Sequence, residues 1–357
     1  LAFYKVRGAL PLGISFYTFQ AISYVADTYK NPADGTKNLR ETLQYLTFFP
    51  QLTAGPFLKF SALRPYLDRR ETTWEKNAQG VRRFVCGLCK KVLLSTAAAK
   101  LADAMFSLAS IDALGAWTGA LGYCLQLYFD FSGYSDMALG LGLLFGVQLP
   151  ENFRHPYCAG SVTEFWRRWH MTLSGWFRDY VYIPLGGSRK GRARTVFNKL
   201  LVFLATGLWH GTGWTFVLWG LWHGAFCGAE TLLDRNKTLK THWYGHVYTL
   251  LVVIFGFVLF RAESLPQALM LLRTMLSGFT PVDACRLALR NLLTVRTAVW
   301  CFVGVLACLP VWEHAKARFD GSRWFSPALD ALTIVGLLLC LMQLASHSFQ
   351  PFIYASF

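Results

Sequence analysis

The sequence predicts an all-α polytopic membrane protein, and three observations support this fold class. Of the 357 residues, 54% are hydrophobic and only 15% are charged, whereas an ordinary soluble domain has about 25% charged residues. Several segments are apolar over roughly 20 residues, the length of a helix that crosses a bilayer. The basic residues are concentrated between these segments. A transmembrane β-barrel would instead show short segments of alternating polarity.

Seven apolar segments are candidate spans. They cover residues 8–26, 111–129, 137–150, 200–229, 241–260, 297–312 and 331–357. We expect them to form a multi-helix bundle in a single domain over residues 1–357, with its core motif region at 161–229. Because the chain begins with Leu1 and not with methionine, we expect further helices to precede it.

The net charge of +15 would suggest nucleic acid as the partner of a soluble protein. Here the basic residues form two clusters between apolar segments. These are Arg64, Arg69, Arg70, Lys76, Arg82 and Arg83, and then Arg189, Lys190, Arg192, Arg194 and Lys199. Such clusters favour the cytoplasmic side and contact anionic lipid. We therefore predict membrane lipid, and no nucleic acid, as a partner.

The first span, residues 1–29, carries several polar side chains, so we predict that it packs inside the bundle and does not face lipid. A polar turn follows at 31–40. Two prolines and a glycine interrupt the apolar segment 41–60, so a straight helix is not expected there. A re-entrant segment buried in protein and a kinked helix remain equal alternatives.

Residues 61–91 are polar and basic, which predicts an interfacial amphipathic region with a helix start near Trp74. An alanine-rich helix is predicted at 92–108. Asp130 and Asp136 lie farther along, between two apolar runs. They either line a cavity or form structural contacts, with a nearby arginine or at a helix start, and we favour the structural reading.

Residues 151–163 read as a loop, in which Ser161 or Thr163 can cap a helix that begins at Glu164. At a spacing of i, i+4, i+7 and i+11, four residues of that helix share one face. They are Trp166, His170, Leu173 and Phe177. The sequence therefore places His170 on an aromatic, dry face.

A basic loop is predicted at 188–199, and the 30 residues from 200 to 229 contain no Asp, Glu, Lys or Arg. Their length and glycines predict two helices with a break at 211–213. Ionisable groups in such a run, here His210, are functional candidates. On one helix His210 and His223 would point about 140° apart, so we do not expect them to share a site.

A buried histidine tends to stay neutral, and a neutral imidazole can accept the proton of a hydroxyl that attacks a thioester. Neighbouring tryptophans would exclude water and limit hydrolysis of the donor. The alternative is that His210 only forms a hydrogen bond between helices, and for a chain of unknown family this is the preferred reading.

No metal site is expected. Cys86 and Cys89 form a lone CxxC without further ligands, and the nine scattered cysteines suggest no disulfide framework. His242 and His246 have helical spacing but flank Trp243, which is typical of a membrane interface. Residues 261–296 are mixed and predict a loop with an amphipathic helix.

Two motifs carry a resemblance to a known family: FWRRWHMTLSGWFRDYVYIPLGGSRKGR and WHGTGWTFVLWGLWHG. Together with LPLGISFYTFQAISYVADTY, FFPQLTAGPF, DFSGYSDMALGLGLLFGVQLPENFRHPY and QPFIYASF, they cover essentially the whole chain. The sequence resembles the membrane-bound O-acyltransferase family. It is most similar to the branch of the alginate O-acetylation and teichoic-acid D-alanyl proteins, and IPLGGSR favours the alginate type.

The resemblance implies that His210, in the WHG motif, is catalytic and that His170 matches a second family position. His223 matches no catalytic position. The resemblance also implies helices around a central funnel in a bacterial inner membrane, crossed several times, and no bound cofactor. The donor would be a cytoplasmic acyl thioester, acetyl-CoA, and the acetyl group would reach an exported polysaccharide through a periplasmic acetyltransferase partner.

Two other functions compete with this reading. A transporter or channel is suggested by the broken helices and by Asp130 and Asp136, although no inverted repeat is visible. A structural subunit of an export complex would tolerate substitution of both His170 and His210.

Overall fold

The computed structural model describes residues 13–52, 54–234 and 236–346. Within these ranges the regular structure is entirely helical, which confirms the predicted fold class. The helices are α1 (Ile14–Lys30), α2 (Leu39–Leu46), α3 (Phe49–Leu52), α4 (Phe60–Asp68), α5 (Trp74–Cys89), α6 (Thr96–Ser107), α7 (Ala113–Leu144), α8 (Val162–Arg168), α9 (Met171–Phe177), α10 (Gly191–His210), α11 (Trp214–Leu232), α12 (Asn236–Thr241), α13 (Trp243–Arg261), α14 (Leu265–Ser277), α15 (Asp283–Leu292), α16 (Val295–Ala307), α17 (Val311–Phe319) and α18 (Phe325–Ala345).

The N-terminal third confirms several expectations. The first span is seen as α1, while residues 1–12 lie outside the described residues. The segment 41–60 is broken, as predicted, because α2 and α3 are short and an extended stretch precedes α4. The helix start near Trp74 is also confirmed, since the hydroxyl of Thr73 caps α5.

Helix α7 is a single helix of 32 residues, so the prediction of two spans at 111–129 and 137–150 is wrong. The acidic residues that suggested a break are neutralised by the preceding segment. Lys91 pairs with Asp130, and Arg83 and Lys90 each lie 2.6 Å from Asp136. Paired charges can stay inside an apolar helix. The predicted pairing of the two aspartates with basic residues is therefore confirmed, with Arg83 and Lys90 at Asp136 and Lys91 at Asp130.

Close packing of α5 against α7 makes these ion pairs possible. A Cβ built on Gly87 would lie 2.4 Å from the carbonyl oxygen of Gly133, and one on Gly140 would lie 2.6 Å from that of Gly80. Glycine at such positions lets two helix backbones approach each other. A π-helical segment, Lys90–Ser95, follows α5 and carries both lysines.

The predicted basic loop at 188–199 is wrong beyond its first residues, because α10 already begins at Gly191. Its basic side chains are mostly exposed, while Asn198 is buried and donates a 2.9 Å hydrogen bond to the carbonyl of Gly187. The charge pattern thus marked an exposed helix face. The predicted break at 211–213 is confirmed, since α10 ends at His210 and α11 begins at Trp214.

Helices α10 and α11 form a tight antiparallel hairpin. A Cβ on Gly207 would lie 2.4 Å from the Phe216 carbonyl oxygen, and one on Gly220 would lie 2.4 Å from that of Phe203. Helix α13 also packs against α11. The hairpin and α13 together hold the region around His210.

The C-terminal third is more helical than predicted, because the mixed stretch 261–296 contains both α14 and α15. By length and composition, two helices of the described chain could cross a membrane, α13 and α18, or three if α15 and α16, bent by 84°, form one span. Most of α18 is exposed, as expected of a helix that faces lipid. The predicted end of the last span, 347–357, lies outside the described residues.

Candidate functional site

His170 lies between two helices and not within one. Helix α8 ends at Arg168 and α9 begins at Met171, so the predicted continuous helix with its single face is wrong. His170 has φ of 44°, in the left-handed region that few non-glycine residues adopt. Such strain persists only where the surroundings impose it, and it is concentrated at functional sites.

Asn152 accounts for the break, because it supplies the hydrogen bonds that begin α9. Its backbone carbonyl accepts from the amide of Met171 at 2.9 Å. Its side-chain Oδ1 accepts from the amide of Thr172 at 3.2 Å and from the hydroxyl of that residue at 2.9 Å. The same Oδ1 lies 3.1 Å from Nδ1 of His170.

The imidazole of His170 is 3% exposed and is surrounded by phenylalanines, which confirms the predicted dry, aromatic environment. Phe57 and Phe153 lie nearly parallel to it, with ring centroids at 6.1 and 6.5 Å. Phe131 is perpendicular at 4.6 Å. Each comes from a different part of the chain, so the ring is fixed from several sides.

His210 is the last residue of α10, and its partly buried imidazole faces aromatic rings. The centroids of Trp209, Phe260 and Trp219 lie 4.6, 5.0 and 5.2 Å from it. The indole Nε1–H groups of Trp209 and Trp219 are buried and meet no acceptor among the described residues.

One aromatic cluster joins the two histidines. Phe57, which stacks on His170, has its centroid 5.3 Å from Phe16, and Phe16 is 5.8 Å from Trp209. Trp209 in turn contacts His210. The structure thus brings together the two residues that the sequence singled out.

His223 lies on α11 whereas His210 ends α10, so the angle predicted for a single helix does not apply, and His223 shares its neighbour Trp219 with His210. It is fully buried in α11, with Trp166 at 4.9 Å and Trp219 at 5.5 Å. Neither ring nitrogen has a hydrogen-bond partner within the described residues. A Cβ built on Gly256 would lie 2.3 Å from its Nε2, so the ring occupies the space that this glycine of α13 leaves.

The predicted cap of α8 is Ser161, whose hydroxyl accepts from the amide of Glu164 at 3.1 Å. After α9, an ion pair of 2.9 Å joins Asp179 to Lys59, which closely follows Phe57 in the chain. Burial alone would raise the pKa of Asp179, but its contacts with Arg178 and Lys59 outweigh burial and lower the pKa below its ordinary value.

No group of three or more metal-ligating side chains occurs within the described part of the chain. His242 is exposed, and its Nδ1 lies 2.7 Å from the carbonyl of Thr238. Cys89 lies 3.6 Å from the sulfur of Cys340 and not in a ligand set.

Sequence reasoning missed Asn152 and the phenylalanines around His170. Asn152 was predicted as part of a loop, and the loop is indeed irregular, but Asn152 lies among polar residues such as Glu151 and Arg154, so no local signal singles it out. No local pattern predicts that Phe57, Phe131 and Phe153 meet, since they depend on the tertiary fold.

A family model described as "MBOAT, membrane-bound O-acyltransferase family" matches residues 30–271. A protein of Azotobacter vinelandii named "Probable alginate O-acetylase AlgI" is 39% identical over 98% of this chain and 76% of its own length. Its namesake from Pseudomonas aeruginosa is 46% identical over 75% of this chain and 52% of its own length.

Similarity extends beyond proteins named for alginate. A protein of Helicobacter pylori named "Peptidoglycan O-acetyltransferase" is 39% identical over 78% of this chain and 59% of its own length. The relatives therefore share O-acetyl transfer in their names but differ in the polymer named.

Proposed function

The chain belongs to the membrane-bound O-acyltransferase family, and from this premise we propose that it moves an acetyl group from acetyl-CoA, or another cytoplasmic acyl thioester, toward hydroxyls of an exported polysaccharide. It is a membrane O-acetyltransferase. We assign it to the bacterial inner membrane as a multi-pass protein, and alginate or a similar polymer is the proposed final acceptor.

The observation that carries the proposal is the position of two histidines in one dry aromatic cluster. His170 is buried and His210 partly buried, and Phe16, Phe57 and Trp209 connect them. Acyl transfer from a thioester must exclude water, because water competes with the acceptor hydroxyl. Aromatic walls around both imidazoles meet this requirement.

The proposed chemistry assigns His210 as general base. Its imidazole accepts the proton of the acceptor hydroxyl as the hydroxyl oxygen bonds to the thioester carbonyl carbon. The carbon–sulfur bond then breaks, and the proton passes to the departing thiolate. The products are an acetyl ester and a free thiol. His170 positions the reacting hydroxyl beside His210.

The immediate acceptor is either the sugar or a periplasmic partner protein that completes the transfer. We propose such an acetyltransferase partner because a membrane-embedded site and an exported polymer must be connected. Membrane lipid surrounds the bundle, in keeping with the exposed apolar side chains of α18.

The test is His210→Ala in a strain that secretes an acetylated polymer. Acetyl groups on the polymer are quantified in the wild type, a deletion strain and the variant, with the protein level in the membrane measured in parallel. We expect the variant to match the deletion strain at a normal protein level. His242→Ala, at an exposed histidine, is the matched control and should leave acetylation unchanged.

Normal acetylation in both His210→Ala and His170→Ala would reject the assignment and favour a structural subunit. Transfer of label from acetyl-labelled acetyl-CoA to an acceptor by the purified protein separates an enzyme from a transporter.

A further inference from the structure

The contact between Asn152 and His170 indicates which nitrogen of the imidazole carries the hydrogen. Asn152 is 1% exposed, and its side-chain orientation is fixed by its other contacts. Its Oδ1 faces the backbone amide of Thr172, which can only donate, so the atom at this position must be the oxygen. Its Nδ2 lies 3.2 Å from the hydroxyl oxygen of Ser135 and donates to it.

The oxygen at 3.1 Å then determines the state of Nδ1 of His170. A carboxamide oxygen only accepts, so the nitrogen that faces it must carry a hydrogen. Two unprotonated atoms at this distance would place two lone pairs against each other in a buried site. The imidazole is therefore held with its proton on Nδ1.

The opposite nitrogen, Nε2, lies in apolar surroundings and has no hydrogen-bond partner within the described residues. A second proton, on Nε2, would create a buried cation among Phe57, Phe131 and Phe153. Within the described part of the chain, no carboxylate faces Nε2 to balance that charge. Neutral imidazole with a lone pair on Nε2 is the state that this environment favours.

We propose that Asn152 is a positioning residue that holds His170 as the Nδ1–H tautomer and so makes Nε2 a hydrogen-bond acceptor toward substrate. This inference rests on the proposed function and sharpens it. As an acceptor, Nε2 receives a hydrogen bond from a donor group of the acceptor substrate other than the hydroxyl whose proton His210 removes, and so positions that substrate. It does not donate to the negative oxygen that develops on the thioester carbonyl, so that charge must be met by other donors.

The test reads the tautomer directly. Protein with ¹⁵N-labelled histidine is reconstituted in lipid, and solid-state NMR distinguishes protonated from unprotonated ring nitrogens. The chain has 8 histidines, so the His170 signals are assigned by comparison with His170→Gln. We expect the proton on Nδ1 alone. A proton on Nε2, alone or together with Nδ1, would overturn the proposal.

Variants of Asn152 and of its neighbours distinguish a role in positioning His170 from a role in supporting the fold. Asn152→Leu removes the acceptor, and we expect loss of the single tautomer and an at least roughly fivefold fall in polymer acetylation, the equivalent of one hydrogen bond. Asn152→Asp keeps an acceptor at this position and should keep the hydrogen on Nδ1 of His170. Ser135→Ala and Thr172→Val remove other hydrogen bonds of Asn152 but leave its contact with His170, so the tautomer should persist.

If Asn152→Leu fails to accumulate, the wild-type spectrum and Asn152→Asp decide the question. A spectrum of Asn152→Leu with an unchanged Nδ1–H signal would refute the role of Asn152. The NMR measurement needs no turnover, so it is independent of the acetylation assay of His210→Ala and His170→Ala, on which the proposed function depends.

Discussion

Glu230 of α11 accepts a 2.7 Å hydrogen bond from the backbone amide of Val162, the first residue of α8. Its second oxygen accepts from the amide of Thr163 at 2.9 Å. A carboxylate of one helix thus occupies the N-terminus of another, where the helix dipole favours negative charge. Since α8 leads to His170, this contact ties the site to the hairpin of α10 and α11.

Replacing Glu230 by Gln should destabilise the protein, because the neutral amide cannot accept from both amides and adds donors where acceptors are needed. We expect a loss of about 0.5–2 kcal/mol, the usual range for a lost helix cap. Thermal unfolding in detergent measures it. Glu263→Gln, at an exposed position, should unfold with the wild type, and equal melting of Glu230→Gln would contradict the capping role.

Gly256→Ala should destabilise the contact of α13 with α11, because the new methyl group would lie 2.3 Å from Nε2 of His223. Overpacking of this kind costs about 1–3 kcal/mol. The double variant Gly256→Ala, His223→Ala removes the clash, so it should be less destabilised than the two single changes added together. Additive effects in this thermal-unfolding cycle would show that the ring and the glycine are independent.

Asp130→Asn should be strongly destabilising, because it leaves Lys91 charged and buried without its carboxylate. Breaking a buried pair costs about 3–5 kcal/mol, whereas replacing both partners by apolar residues is often nearly neutral. Asp130→Leu combined with Lys91→Met should therefore accumulate in the membrane better than Asp130→Asn. The protein level in the membrane and the melting temperature of the two variants are compared. A double variant that is less stable than Asp130→Asn would argue against a structural pair.

The ion pair of Lys59 and Asp179 should contribute little to the free energy of unfolding, and it should do so only above acidic pH. The pKa of Asp179 is lower in the folded protein than in the unfolded chain, where it is about 3.9. The ionised carboxylate therefore stabilises the folded protein fully at a pH well above about 3.9. This stabilisation is lost as the pH falls through the lower, folded pKa. Partly exposed pairs contribute up to about 1 kcal/mol.

Asp179→Asn should therefore lower the melting temperature slightly at pH 7 and not at all at a pH below the folded pKa. Asp320→Asn, at an exposed position after the end of α17, serves as the matched control. A difference from wild type that grows on acidification would have the wrong sign for this account.

The sequence predicted the helical class and the break after His210, because each depends on local composition or on glycine. The dry surroundings of His170 were predicted from a helix face that is not present, and they come from phenylalanines of distant segments. The sequence did not predict the continuity of α7. Asp130 and Asp136 argue for a break when the helix is considered alone, and only the basic residues of another segment remove that argument.

The turn at His170 was missed for a similar reason. The spacing of Trp166, His170, Leu173 and Phe177 is consistent with one helix, and nothing local forbids it. Asn152 ends that helix by offering its own acceptors to the next one. Hydrogen bonds between distant segments leave no periodic pattern in the chain.

The pairing of α7 with α5 has a consequence for biogenesis. Arg83, Lys90 and Lys91 are synthesised before Asp130 and Asp136, so the countercharges exist when the acidic helix emerges from the ribosome. The acidic helix need not enter the lipid as a bare dianion, because the segment that carries its countercharges has already been synthesised. Insertion of these two segments is therefore expected to be a joint event.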